Sequence, residues 1–245
     1  MTRIFPTFEQ RKAAANFYRR DIEKQMAREL ANYRQFAESS GREFRFPIDA
    51  DHVIERWLQI PLIIGSIAEV MPQLDKAVAE KCWGTLGRDQ DGDLAIVIDE
   101  KLSSEYYDCP YRFTAIHEVV HWFRDVTAEQ KHGLQQTLPF ASGYVDPQYF
   151  RILCRYGEEE KYQERNANYG AACFLAPKDE LNKQFSRWLE SEKLGPTYLL
   201  TEAQPDTMRS ALENIRRFFG LSRQAMQIRF QECGLFSAAD QGTLY

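Results

Sequence analysis

The 245-residue chain has no apolar run long enough to span a bilayer. Its most apolar stretch, LQIPLIIGSIAEVM from Leu58 to Met71, is interrupted by Pro61, Gly65 and Glu69. The opening MTRIFPTFEQRKAAANFYRR turns polar at once, without the apolar centre of a signal peptide. A surplus of positive charge is missing too. Thirty-one Lys and Arg face 36 Asp and Glu, a net charge of −5, so there is no global attraction to phosphate backbones or anionic lipid. Any contact with nucleic acid would need a local basic face. The five cysteines (Cys82, Cys109, Cys154, Cys173 and Cys233) are scattered and form no C-x-x-C pair. That excludes a cysteine-based zinc site and a disulfide framework, and it predicts reduced thiols. Internal repeats and low-complexity tracts are absent as well. The expectation is a soluble, cytoplasmic protein with no membrane partner.

What is present is ordinary globular composition, 44% hydrophobic and 27% charged, enough for one large domain or two small ones with a sizeable core. Ile22, Met26, Leu30, Tyr33 and Ala37 recur at steps of three and four, which predicts a helix from about Phe8 to Ser39, stopped at Gly41. Asp49 is placed to cap a short helix burying Val53, Ile54, Trp57 and Leu58, with His52 a structural or surface histidine. Pro61 to Ile64 reads as a brief strand and Ala68 to Lys81 as a helix. Trp83–Leu86 and Leu94–Ile98 are β-prone runs around the turn-rich Gly87–Asp93, the pattern of a hairpin.

Asp108 is a candidate cap for a helix reaching Asp125, with Pro110 in its first turn. A segment without firm periodicity follows to about Gly157, a length that suits a lid or a substrate-binding element. Helices are then expected at Glu158–Leu175 and Glu180–Glu192, from a cap at Asp206 to Phe219, and at Ser222–Cys233. The fold class is therefore α+β and predominantly helical, with a small antiparallel sheet. The expected division is an N-terminal helical extension over 1–45, a core over 46–178 and a C-terminal helical region over 179–245.

The chemistry centres on RFTAIHEVVHWFRD, Arg112 to Asp125. On a helix, His117 and His121 stand one turn apart on one face and can bind a single metal ion. Glu118, beside the first, can reach a water on that metal. Only four histidines occur in the chain, so this H-E-x-x-H spacing would arise by chance in roughly one such chain in a few hundred. A catalytic zinc usually has three protein ligands and an open position. The candidates for the third are His132, Asp125, Glu158 to Glu160, and Glu164. Glu164 shares a helix face with Asn168, Ala171, Ala172 and Leu175, an apolar setting in which a lone carboxylate needs a cationic partner. Glu164 is favoured on that ground.

RFTAIHEVVHWF, then Glu164-Arg165-Asn166-Ala167-Asn168, then Phe174-Leu175-Ala176-Pro177, resembles the ImmA/IrrE family of metallopeptidases. The family pattern is an R-F-T-x-A-H-E-x-G-H helix followed by E-x-x-A-N and an L-L-M-P-like end. Phe46-Pro47-Ile48-Asp49, the hairpin ending in Ile98-Asp99, and the tail from Phe219-Gly220-Leu221-Ser222 to Leu235 extend the likeness over roughly residues 45 to 240. The resemblance implies a zincin-like core, His117, His121 and Glu164 as metal ligands, and Glu118 as general base. Zinc is the expected metal, with Mn2+ or Fe2+ compatible with the same ligands. Tyr107, Tyr162, Tyr169 and His132 are candidates for stabilising the oxyanion.

The implied activity is that of a regulatory endopeptidase acting on a helix-turn-helix transcriptional repressor in stress response or mobile-element control. Val120 departs from the family pattern, where Gly is common, and so does Gly170, where an aromatic is usual. The segment between His121 and Glu164 is also longer than typical. Two alternative readings are a metal-binding sensor without turnover and a DNA-binding regulator. The second would use the pair of helices about Gly220, with Arg216, Arg217, Arg223 and Arg229 as the basic residues, offset by Glu213 and Glu232.

Overall fold

The five apolar residues spaced along the N-terminal segment become one buried face of α1 (Phe8–Ser39) in the computed structural model. The structure describes residues 8–70, 80, 82–88, 94–104, 107–123, 158–201 and 203–237. After α1, Asp49 does cap the next turn, its Oδ1 accepting from the His52 N–H at 3.1 Å. The turn itself, His52–Trp57, is π-helical. It buries Val53 and Ile54 completely and leaves Trp57 and Leu58 half-buried. His52 bonds the Tyr33 hydroxyl at 3.1 Å, a structural role.

β1 (Leu62–Gly65) leads into the short α2 (Ile67–Val70). Residues 71–79 of the helix expected there lie outside the described residues. β2 (Gly84–Arg88) and β3 (Leu94–Asp99) pair antiparallel, with Gly84 opposite Ile98 and Leu86 opposite Ile96. β1 pairs with the other edge of β3 in parallel, Leu62 opposite Ile96 and Ile64 opposite Ile98. The sheet is thus mixed, in the order β1-β3-β2, and not antiparallel as expected. The hairpin signal fixed only the β2–β3 pair. β1 reaches β3 through a long connection, and such a connection permits the parallel sense. Ala95, Ile96, Val97 and Ile98 on the central strand are all fully buried, the continuous apolar run of a strand covered on both faces.

α3 (Asp108–His121) packs against β2 and β3. Asp108 is not its cap. It lies inside the first turn and takes both oxygens to Arg112 Nη2, at 2.9 and 2.8 Å. The charge four residues on outcompetes the backbone for that carboxylate. Pro110 occupies the first turn as expected. The α-helix ends at His121 and continues as a π-turn over Trp122 and Phe123, the last described residues of a helix expected to reach Asp125. Arg112 also donates from Nε to the Ile48 carbonyl at 3.0 Å and from Nη1 to the Gly220 carbonyl at 2.9 Å. It thereby ties α3 to two distant segments. Gly220 has φ +64°, and a Cβ there would collide with the Arg112 guanidinium and Pro47. Glycine is required at that position on both counts.

Beyond residue 157 come α4 (Glu158–Leu175), α5 (Lys178–Ser191), β4 (Leu200–Thr201), α6 (Pro205–Phe219), α7 (Arg223–Cys233) and β5 (Phe236–Ser237). β4 and β5 form a separate two-stranded parallel sheet. α6 starts at Pro205, so Asp206 lies within its first turn and is not the cap. Ser222 caps α7, accepting from the Ala225 N–H at 3.2 Å. One apolar cluster joins α1, β3, α3, α4, α5, α6 and α7, drawing on all three of the expected sequence divisions. At its far side Phe185 stacks on Trp188 and meets Phe230 edge-on.

Val120 and Gly170, the two departures from the family pattern, face each other across the α3–α4 interface. A Cβ on Gly170 would lie 2.8 Å from Val120 Cγ1 and 3.4 Å from Ile22 Cγ2. The valine on one helix occupies the space left by the missing side chain on the other.

Arg229 on α7 has no solvent exposure. Its Nε donates to the Ala176 carbonyl at 2.9 Å and its Nη2 to Glu23 of α1 at 2.8 Å, with Glu232 3.6 Å from Nη1. Arg216 is held by Glu213 at 2.6 Å. Arg217 also lies 3.9 Å from Glu213, so three of the four arginines that gave the helix pair its basic character are engaged in intramolecular pairs. Cys109, Cys173 and Cys233 are free thiols. Cys82 is disulfide-bonded, which corrects the expectation that every cysteine is reduced. No helix among the described residues is long and apolar enough to cross a membrane.

Candidate metal centre

The helical spacing of His117 and His121 brings their Nε2 atoms to 3.1 Å, and α4, lying against α3, delivers Glu164 to both. Glu164 Oε2 is 3.2 Å from His117 Nε2, and Oε1 is 3.3 Å from His121 Nε2. These three residues form a cluster whose ligand atoms can hold a metal ion. A tetrahedral ion with bonds of about 2.0–2.1 Å separates its ligand atoms by about 3.3 Å, close to the edges seen here. The Asp125 and His132 alternatives lie outside the described residues, as do the side chains of Glu158, Glu159 and Glu160.

Protonation argues the same way as distance. His117 Nδ1 is 3.0 Å from Asn168 Oδ1. An amide oxygen only accepts, so Nδ1 carries the proton and a neutral His117 presents a lone pair at Nε2. That lone pair points toward another imidazole nitrogen and a carboxylate. Glu164 Oε1 is buried and makes no hydrogen bond despite its nearness to His121. Converging lone pairs repel one another unless a cation lies between them, and a divalent ion supplies it. Protonated histidines would serve as that cation in the absence of a metal: burial alone would raise the Glu164 pKa, but hydrogen bonds and charge from His117 and His121 outweigh that and bring it down to about 2. It is a carboxylate at any physiological pH, as a ligand must be.

Glu118 borders the same cleft beside the ligand cluster without joining it. It is only 3% exposed, and Oε2 has no hydrogen-bond partner. Burial pushes its pKa up, against the opposing influence of His117, His121 and the Leu86 backbone. β2 passes directly over it: a Cβ on Gly84 would lie 3.2 Å from Glu118 Oε1 and 2.5 Å from Thr114 Cγ2. Glycine lets the strand approach this closely. His117, Glu118 and Glu164 open together on a cleft of about 770 Å3 between β2, α3, α4 and α7.

Of the expected oxyanion donors, the two whose side chains are described are not free in the cleft. Tyr169 lines the cleft, but its hydroxyl donates to Glu23 at 3.3 Å. Tyr107 is exposed and does not line the cleft. His132 and the Tyr162 side chain lie outside the described residues. The sequence reading missed Asn168 as the group that orients His117. The available signal was its place four residues after Glu164, one turn along the same face of α4.

Asn168→Leu should weaken zinc binding roughly 10- to 100-fold, because the imidazole loses the acceptor that fixes its tautomer. Competition against a chromophoric chelator measures this, and unchanged affinity would remove Asn168 from the site. Compared with family models and with curated proteins, the chain matches none, so its function is argued from this geometry and from the resemblance of its motifs.

Proposed function

We propose that the protein is a zinc-dependent endopeptidase of the ImmA/IrrE type with a zincin-like core. The observation that carries the reading is the convergence of His117, His121 and Glu164 on a cleft that also contains the buried Glu118. His117, His121 and Glu164 would hold the ion, and two imidazoles with one carboxylate favour zinc while admitting Mn2+ or Fe2+. When bound, zinc supplies Lewis acidity, lowering the pKa of water from about 15.7 toward roughly 7 and polarising a carbonyl.

Glu118 does the proton work. Its carboxylate accepts a proton from the attacking water and then delivers it to the leaving amine nitrogen as the C–N bond breaks. Burial of Glu118 supports that role, since raised proton affinity makes a better base. The cluster is made by His117, His121 and Glu164, so Glu118 remains outside the ligand set. β2 is the outer strand of the sheet and Gly84 lines the cleft. An extended peptide can add to such an edge and lie across the site.

The resemblance of the motif helix points to a helix-turn-helix transcriptional repressor as the protein substrate. The substrate to test is a helix-turn-helix repressor, taken first from the genes adjacent to this protein's own. The purified protein should bind one equivalent of zinc and cut that repressor at a defined position. A chelator should stop cleavage and added zinc should restore it. Absence of stoichiometric metal would overturn the proposal. Full zinc occupancy with an intact repressor would leave the metal site standing and remove the substrate assignment.

A further inference from the structure

We propose that the end of the cleft formed by Arg19, Arg165 and Tyr169 is a subsite for an acidic side chain of the bound peptide. This rests on the peptidase reading of the neighbouring metal centre and names the class of peptide it takes. Arg165 follows the ligand Glu164 directly, and Tyr169 stands one turn further along α4. Arg19 reaches across from α1 and lays its guanidinium over the Tyr169 ring, 5.1 Å from the centroid. A guanidinium stacked by its face keeps its N–H edge for other partners, and that edge matches the two oxygens of a carboxylate. Both arginines are exposed and line the cleft.

Among the described residues no acid lies within ion-pair distance of either cation, although Arg19 feels the charge of Glu232 on the cleft wall. Among the described residues, Arg19 and Arg165 form no ion pair or hydrogen bond, unlike Arg112, Arg216 and Arg229. Each nearby acid already has a partner. Glu23 and Glu232 lie at Arg229, 2.8 and 3.6 Å away, and Glu164 meets the two histidines. A neutral or basic side chain would leave Arg165 without an ion pair and Arg19 with only the field of Glu232, whereas Asp or Glu supplies a carboxylate that both can bind. Charged contacts at a solvent-facing rim select among partners more than they add raw affinity, so the effect is one of preference.

A carboxylate can also come from a free peptide C-terminus, and the experiment separates the two sources. The probes are fluorescein-labelled octa-alanine peptides with two central residues replaced by Asp, Asn or Lys, each made with an amidated and with a free C-terminus. Binding is measured by anisotropy with the zinc-loaded E118Q protein, so the result does not depend on turnover. The Asp peptide should bind roughly five- to tenfold more tightly than the Asn peptide, the scale of one or two exposed ion pairs. R19Q/R165Q should abolish that difference without losing zinc, and R19E/R165E should move the preference to the Lys peptide. Equal binding of the Asp and Asn peptides, or a preference that survives in R19Q/R165Q, overturns the subsite. A carboxylate effect seen only with unamidated peptides assigns the site to chain termini and also overturns it. Failure of the wild-type protein to hydrolyse any peptide would count against the peptidase reading alone, because these binding measurements stand apart from it.

Discussion

Glu118→Gln will retain one equivalent of zinc and hydrolyse peptide about 10²- to 10⁴-fold more slowly, the usual contribution of a positioned general base. His117→Ala will lose both the metal and the activity. The contrast follows from the geometry of α3. His117 and His121 bring their Nε2 atoms to 3.1 Å, and each lies 3.2 or 3.3 Å from one of the two Glu164 oxygens. Glu118 takes no part in this cluster. Gln preserves the shape of Glu118 beneath Gly84 while removing its capacity to accept a proton, so folding and metal content should be unaffected. Metal analysis and peptide hydrolysis on the same preparations decide the matter. Normal turnover by E118Q would show that another group takes the proton, and loss of zinc from E118Q would place Glu118 in the ligand set.

Arg229→Met will destabilise the fold by about 3 kcal/mol, the lower end of the range for removing one partner from a buried charge pair. The arginine has no exposure, and its loss leaves the Ala176 carbonyl without this donor and Glu23 and Glu232 without their cation. The lower end is appropriate because the Glu23 side chain is 30% exposed and can recover some hydration. Methionine fills much of the volume, so the cost comes from stranded acceptors more than from a cavity. The triple variant R229M/E23Q/E232Q should regain part of the loss, since amides tolerate the missing cation better than carboxylates do. Urea denaturation of the three proteins measures both effects. A loss below 1 kcal/mol for R229M would mean that the pair is not a structural tie between α1 and α7.

Those residues also show where sequence reading succeeds and where it stops. Local periodicity identified α1 because its buried positions repeat with the helix itself, and β3 because a strand covered on both faces is a plain apolar run. The H-E-x-x-H helix was legible for the same reason, its ligands lying one turn apart. Glu164 was reachable because a carboxylate on a small, apolar face demands a partner. The misses depend on contacts between distant segments, Asp108 excepted, whose partner lies one turn along its own helix. Nothing near Leu62 shows that β1 runs parallel to β3. Asp108 has the chemistry of a cap until Arg112 claims it. Arg229 looks like a surface cation on an arginine-bearing helix, and only Glu23, more than two hundred residues earlier, reveals it as an internal strut. Asn168 was visible as a member of the motif, but its bond to His117 belongs to the packing of α4 on α3.

The contact between Val120 and Gly170 bears on how such chains are to be compared. Read column by column, the two positions count as separate mismatches with the familiar motif. In space they are one exchange of bulk from α4 to α3. A large side chain at 170 alone would collide with the valine, and glycine at 120 alone would open a void beneath Ile22. The two positions are therefore expected to vary together along a lineage, and a covariation-aware alignment should treat the pair as a single character.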